Sequence, residues 1–177
     1  MTSNDVEHTE DGRYIVVKGK RWRATDPSIP DTLRTELVSA LMTGRRLVRT
    51  EGDAARVMVN DAKVALGERG DPWWEPTEEG TRRRLAATIR TLLRSRGEGS
   101  ICPSDAARTV GGERWRELME TAREVASDLR ADGVVAILHR GEVVTGTEVR
   151  GPIRIVAADA LDFRPPAGGT GASSPRE

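Results

Sequence analysis

The sequence predicts an α+β protein in two small units, and three observations carry that reading. Two β-prone runs, Tyr14-Ile15-Val16-Val17 and Lys20-Arg21-Trp22-Arg23, flank Lys18-Gly19. An X-Gly pair in that position suits a tight hairpin, because glycine accepts the positive φ the turn needs. Next, Leu33, Leu37, Val38, Leu41 and Val48, then Ala55, Met58, Ala62, Ala65 and Leu66, form two apolar stripes at helical spacing. Finally, Trp115, Leu118, Met119, Ala122, Val125, Ala126 and Leu129 recur at three- and four-residue steps and lay one stripe along one helix face. Two helical segments precede that last stripe and a short hairpin follows it. Three helices and a β-ribbon make the winged-helix plan, preceded here by a β-hairpin and an αα-hairpin.

Taken in order, residues 1–10 are polar and acidic and are expected to be flexible. The hairpin plus helical-hairpin unit covers 11–76. Its first helix follows the punctuation Thr25-Asp26-Pro27-Ser28-Ile29-Pro30, and its second starts after the break Glu51-Gly52-Asp53. Gly67 and Gly70 close that helix, and Asp71-Pro72-Trp73-Trp74-Glu75-Pro76 runs extended, as residues before proline do. Residues 77–80 read as a linker. The winged-helix unit then spans 81–156, with Leu85, Ile89, Leu92 and Leu93 buried on its first helix. Cys102-Pro103 opens its second helix, since proline at the first helical position gives up an N–H that has no partner anyway. Asp105 falls in that helix's first turn, where a carboxylate favours the positive dipole end. Gly111-Gly112 ends it and Gly133 caps the third helix. Val134 to Leu138 and Ile153 to Val156 are the expected wing strands, with His139 to Pro152 as the wing. Residues 157–177 read as a mostly disordered tail, rich in proline and glycine.

Two resemblances rest on these residues. Ile101-Cys102-Pro103-Ser104-Asp105-Ala106-Ala107-Arg108, Gly111-Gly112-Glu113-Arg114-Trp115-Arg116-Glu117-Leu118-Met119 and Arg150-Gly151-Pro152-Ile153-Arg154 resemble the small bacterial family known as domain of unknown function 3253. That resemblance implies a helix-turn-helix fold over about residues 81–156 and brings no activity with it. Asp11-Gly12-Arg13-Tyr14-Ile15-Val16-Val17, Arg21-Trp22-Arg23-Ala24-Thr25-Asp26-Pro27 and Asp61-Ala62-Lys63-Val64-Ala65-Leu66-Gly67-Glu68-Arg69-Gly70 resemble short uncharacterised bacterial proteins labelled "biopolymer transporter Tol". Transport would call for a membrane span or an envelope signal. The longest apolar run, Val134 to Leu138, is far too short for a span, and the first residues have neither the basic flank nor the apolar stretch of a signal peptide. No membrane association is expected, and the expected location is cytoplasmic.

Charge narrows the function classes. Among 177 residues, 28 basic side chains balance 28 acidic ones. Residues 1–80 hold 12 Lys/Arg against 15 Asp/Glu, and residues 81–177 hold 16 against 13. That is well short of the basic footprint of a dedicated nucleic-acid binder. The expected third helix carries Arg114, Arg116, Arg123 and Arg130 against Glu113, Glu117, Glu120, Glu124, Asp128 and Asp132. An acidic helix is repelled by phosphate at every approach, so it is poorly suited to lie in a DNA groove. Basic density lies instead on Arg82, Arg83, Arg84, Arg90, Arg94 and Arg96 of the first helix, with His139, Arg140, Arg150 and Arg154 beside the wing. Of these, Arg82, Arg83, Arg84, Arg90, Arg94, His139 and Arg140 are the candidate phosphate contacts. The plain alternative is that they keep the surface soluble or face the acidic N-terminal unit.

No catalytic or metal constellation emerges. Cys102, His8 and His139 are too few for a structural zinc site, and Glu75, Glu78 and Glu79 read as solvated charges. Cys102 reads as a small residue filling a turn rather than a thiol paired with His139. Gly111-Gly112 ends a helix instead of opening one, so it makes no phosphate cradle. No cofactor is expected. Trp73 and Trp74 are a candidate partner anchor or, alternatively, mortar between the units, while Trp22 and Trp115 are expected in the cores. The expected function is a non-catalytic adaptor or regulator that binds a protein partner. The alternative is a DNA- or RNA-associated winged helix that grips phosphate through its first helix and wing.

Overall fold

The computed structural model describes residues 6–146 and 149–162. It is a mixed α+β structure with a small antiparallel sheet at each end of a group of helices. The first sheet is ordered β1 (Glu7–His8), β2 (Tyr14–Val17), β3 (Lys20–Arg23). Val17 faces Lys20 across the expected turn, where Lys18 and Gly19 have φ of 50° and 72°. Positive φ at both central residues twists the turn in the same sense as the strands it joins. β1 lies within the stretch expected to be flexible. Its partner residues are Glu7 with Val16 and His8 with Ile15.

Helices α1 (Asp31–Glu51) and α2 (Asp53–Ala65) pack against each other on either side of Gly52. Leu33, Leu37 and Leu41 of α1 and Ala55, Met58, Ala62 and Ala65 of α2 are buried, as their spacing predicts. Val38 and Val48 are half-buried.

Helix α3 (Glu78–Arg96) is the centre of the molecule and touches α1, α2, α4 (Pro103–Gly111), α5 (Met119–Ala131) and β6 (Arg154–Ala157). It begins earlier than expected: Thr77 is its N-cap, and the residues read as linker form its first turn. Leu85, Ile89, Leu92 and Leu93 are fully buried, and Arg84, Thr88, Thr91 and Arg94 are buried as well. Only a narrow strip of this helix meets solvent.

The expected third helix starts as a 3-10 turn over Gly112–Leu118 and becomes α-helical as α5. Its lower stripe, Ala122, Val125, Ala126 and Leu129, is buried, while Trp115, Leu118 and Met119 pack at the core's margin. The second sheet has the order β5 (Glu142–Val143), β4 (Val135–His139), β6, and Ile101 adds an isolated bridge to Ile155. The two main ribbon strands thus lie one residue later than expected, and β5 is a short strand inside the wing. Ala157 closes β6 and Leu161 is buried, so the stretch read as tail starts inside the structure. The rest of that stretch, 163–177, lies outside the described residues.

Buried apolar residues from both halves form one cluster, from Ile29, Leu37 and Leu66 to Ala126, Ile155 and Leu161. Among the described residues, no helix is long and apolar enough to cross a membrane.

Candidate functional site

The arginines of α3 are where sequence and structure diverge most. Arg84 lies in the core with its Nη1 2.9 Å from Asp26. It also donates from Nε to the Ala65 carbonyl at 3.1 Å and from Nη2 to the Thr109 carbonyl at 3.5 Å. Asp26 is oriented in turn by the Ser28 N–H and hydroxyl, at 2.9 and 2.7 Å. Burial pulls the Arg84 guanidinium below its ordinary pKa, and the Asp26 carboxylate opposes that shift. Two turns further on, Asp61 of α2 takes a two-pronged bond from Arg90, at 3.0 and 2.8 Å, and a 2.6 Å bond from the buried Arg94. Hydrogen bonding to Asp61 holds the Arg90 guanidinium above its usual value against the opposing effect of burial. Arg96 grips Glu36 of α1 at 2.8 and 3.0 Å and reaches Asp105 of α4 at 3.0 Å.

These contacts bear directly on the candidate phosphate residues. Arg84 and Arg94 are removed from solvent, and Arg90 is turned toward α2. Arg82 is more exposed but bridges Glu124 at 2.7 Å and Asp128 at 2.8 Å on α5. Those two acids therefore answer an arginine of α3 rather than one of their own helix. Arg83 pairs with Glu79 one turn earlier on the solvent side. On the wing side, His139 Nδ1 is 3.0 Å from the Pro152 carbonyl, and Arg140 occupies the β4–β5 turn with φ of 52°. The expected grip thus combines arginines that already answer acids of the same chain with a turn residue of the wing.

Helix α5 uses its own arginines to hold the wing. Arg123 donates to the carbonyls of Val149 and Gly151, and Arg130 to those of Val144 and Gly146. Arg114 is paired with Glu117.

A cleft of about 660 Å³ lies between α2, the 69–76 loop, α3 and the turn after α4. Trp73 and Trp74 line its loop side, and Val64, Ala86 and Leu118 supply apolar surface. Trp73 donates from its indole N–H to the Ala24 carbonyl at 3.1 Å. Trp74 meets Trp73 edge to face at 5.1 Å and Tyr14 at 5.6 Å, with the Arg13 guanidinium 4.9 Å from its ring. Both rings therefore contact the hairpin side, and the second wall of the cleft is α3. Asp71 and Glu117 also line the cleft. Hydrogen bonds from the Thr77 hydroxyl and N–H hold the Asp71 carboxyl below its usual pKa, and a bond from Arg114 does the same to Glu117.

Trp22 is not in a core. It is 52% exposed on the outer side of the hairpin, because the strand alternation that turns Tyr14 toward Trp74 turns Trp22 outward. The guanidiniums of Arg108 and Arg116 are each 4.6 Å from the Trp115 ring.

The family described as "Protein of unknown function (DUF3253)" matches residues 82–158. The match starts inside α3 and ends just past β6, so it takes in the three helical segments and the ribbon. It does not reach 11–76, where the resemblance to the Tol-labelled proteins remains an expectation. The comparison with curated proteins finds no match.

Proposed function

We propose that this chain is a non-catalytic interaction module, an adaptor or regulator, and that it takes a protein partner at the cleft walled by Trp73 and Trp74. The cleft itself carries this reading. It is concave, presents two indoles with apolar surface opposite, and has a charged rim, the composition of a binding hot spot with its surrounding ring. The carboxylates around it support a binding role over a catalytic one. Asp71 and Glu117 are stabilised as anions, so neither is tuned for proton transfer near neutral pH, and Asp61 is committed to two arginines.

We read α3, α4, α5 and the β4–β6 ribbon as a winged helix, supported by the element order and the Ile101 bridge. The phosphate grip through helix one and the wing has weaker support, because Arg82, Arg84, Arg90 and Arg94 already answer acids of the same chain.

A peptide-display selection against the full chain tests the proposal. Selected peptides are expected to lose about tenfold or more in affinity toward an Ala86→Trp variant, which fills the cleft from the α3 side. Circular dichroism establishes that the variant is folded. Peptides that bind the filled variant equally well, or a selection that enriches none, would overturn the proposal.

A further inference from the structure

The N-terminal sheet offers a second surface, built independently of the cleft. Between Gly12 and Thr25 every charged residue is basic: Arg13, Lys18, Lys20, Arg21 and Arg23. The pairing aligns His8, Ile15 and Trp22 in one row across the three strands and places Val17 opposite Lys20 in the next. Side chains alternate along a strand, so these residues share one face while Glu7, Tyr14, Val16, Arg21 and Arg23 share the other. That second face is covered at Tyr14 and Arg23, while Glu7 and Arg21 on it are exposed. Tyr14 meets Trp74, and Arg23 donates to the carbonyls of Gly70 and Asp71 at 2.7 and 3.2 Å.

The first face is open. Trp22 and Val17 are both exposed on it, as are His8 and Lys20. Lys18 stands at its end in the turn. Among the described residues, no carboxylate projects from the strands of this face: Glu7 has the opposite parity, Asp11 is held in its own turn by the Thr9 hydroxyl and the Arg13 N–H, and the exposed Glu10 sits in that same turn, at the opposite end of β2 from Lys18. A solvated indole with one lysine on its own strand face and another in the adjoining turn matches the two demands of an unpaired polynucleotide. A base stacks on the ring, and neighbouring phosphates meet the cations. An acidic peptide would satisfy the charge alone and leave the ring without a planar partner.

We propose that the outer face of the β1–β3 sheet binds single-stranded nucleic acid, with Trp22 stacking a base and Lys18 and Lys20 contacting phosphate. The test is fluorescence anisotropy with the full chain and labelled oligo(dT) and oligo(U) of about twelve nucleotides, long enough for one such site. The titrations are repeated over a range of salt concentrations.

Trp22→Ala is expected to weaken binding about tenfold while leaving the salt slope unchanged, the signature of lost stacking. Lys18→Asn and Lys20→Gln are each expected to flatten the slope by about 0.7, the loss of one phosphate contact to a single strand. All three positions are exposed, and asparagine tolerates the positive φ at position 18. Absence of binding at low salt, or an affinity indifferent to Trp22→Ala, would overturn the proposal. So would equal binding of the matching duplex, or equally effective competition by a poly-glutamate peptide, since either outcome removes the unpaired base from the recognition. The cleft is untouched by these variants, so the result is independent of the protein-partner reading.

Discussion

Two ion pairs of the same chemistry are expected to differ widely in what breaking them costs, and burial decides which costs more. Arg84 and Asp26 have side chains 9% and 3% exposed, whereas Glu124, bonded to Arg82, is about half exposed. In the interior, water cannot replace a missing counter-charge. Asp26→Asn keeps a carbonyl oxygen for Ser28 but leaves the Arg84 guanidinium without its anion, so a loss of about 3–5 kcal/mol is expected. The corresponding surface change, Glu124→Gln, is expected to cost about 0.2–1 kcal/mol. Urea unfolding monitored by circular dichroism measures both. Adding Arg84→Met to Asp26→Asn is expected to recover part of the loss, because the stranded charge is then gone even though the bonds to Ala65 and Thr109 are also lost. A midpoint for Asp26→Asn close to wild type would mean that water or another group reaches Arg84.

Helix α3 shows what was legible in the sequence and what was not. Its apolar positions, Leu85, Ile89, Leu92 and Leu93, were plain because the interior enforces helical spacing on them. Its buried arginines were not. Arginine is almost never fully buried without a partner, and the partners Asp26 and Asp61 lie in the other half of the chain, where no local pattern points to them. Trp22 and Trp115 share the same Arg-Trp-Arg setting, yet one is exposed and the other lies at the core's margin. Which side of a strand faces inward depends on what packs there, and Trp74 was not assignable to Tyr14 beforehand. The helix start was misread for a similar reason. Gly80 reads as a breaker, but it is needed for close approach: a Cβ there would sit 2.0 Å from Asp71 Oδ2. That carboxylate accepts the Thr77 hydroxyl at 2.5 Å, and Thr77 caps Gly80 at 3.0 Å. Helix propensity alone predicts that Gly80→Ala stabilises by about 1 kcal/mol. The crowding predicts the opposite sign, with the cap displaced and the melting temperature lowered by about 4 °C. Thermal circular dichroism decides between the two, and a raised melting temperature would refute the crowding argument.

At the scale of the whole molecule, the question is whether the family-matched part, residues 82–158, can stand without what precedes it. Its central helix argues against independence. Arg84, Arg90, Arg94 and Arg96 all answer acids of the first half, at Asp26, Asp61 and Glu36, and the core residues of the two halves belong to one cluster. Cutting at residue 77 would expose one side of α3 and strand Arg84 away from Asp26. Hydrophobic burial and charge compensation would thus be lost together, each comparable to a sizeable fraction of a typical net stability of about 5–15 kcal/mol. A fragment of residues 77–177 is therefore expected to lack a cooperative thermal transition. The intact chain is expected to unfold once, with tryptophan fluorescence and far-ultraviolet circular dichroism giving coincident curves. The two probes weight the halves differently, because Trp22, Trp73 and Trp74 lie in the first half with Trp115 in the second, while the circular dichroism signal comes from α1 and α2 as well as α3, α4 and α5. Separated transitions, or a fragment melting at the intact chain's temperature, would mean that the two halves are autonomous, with the ion pairs as ornaments of their contact.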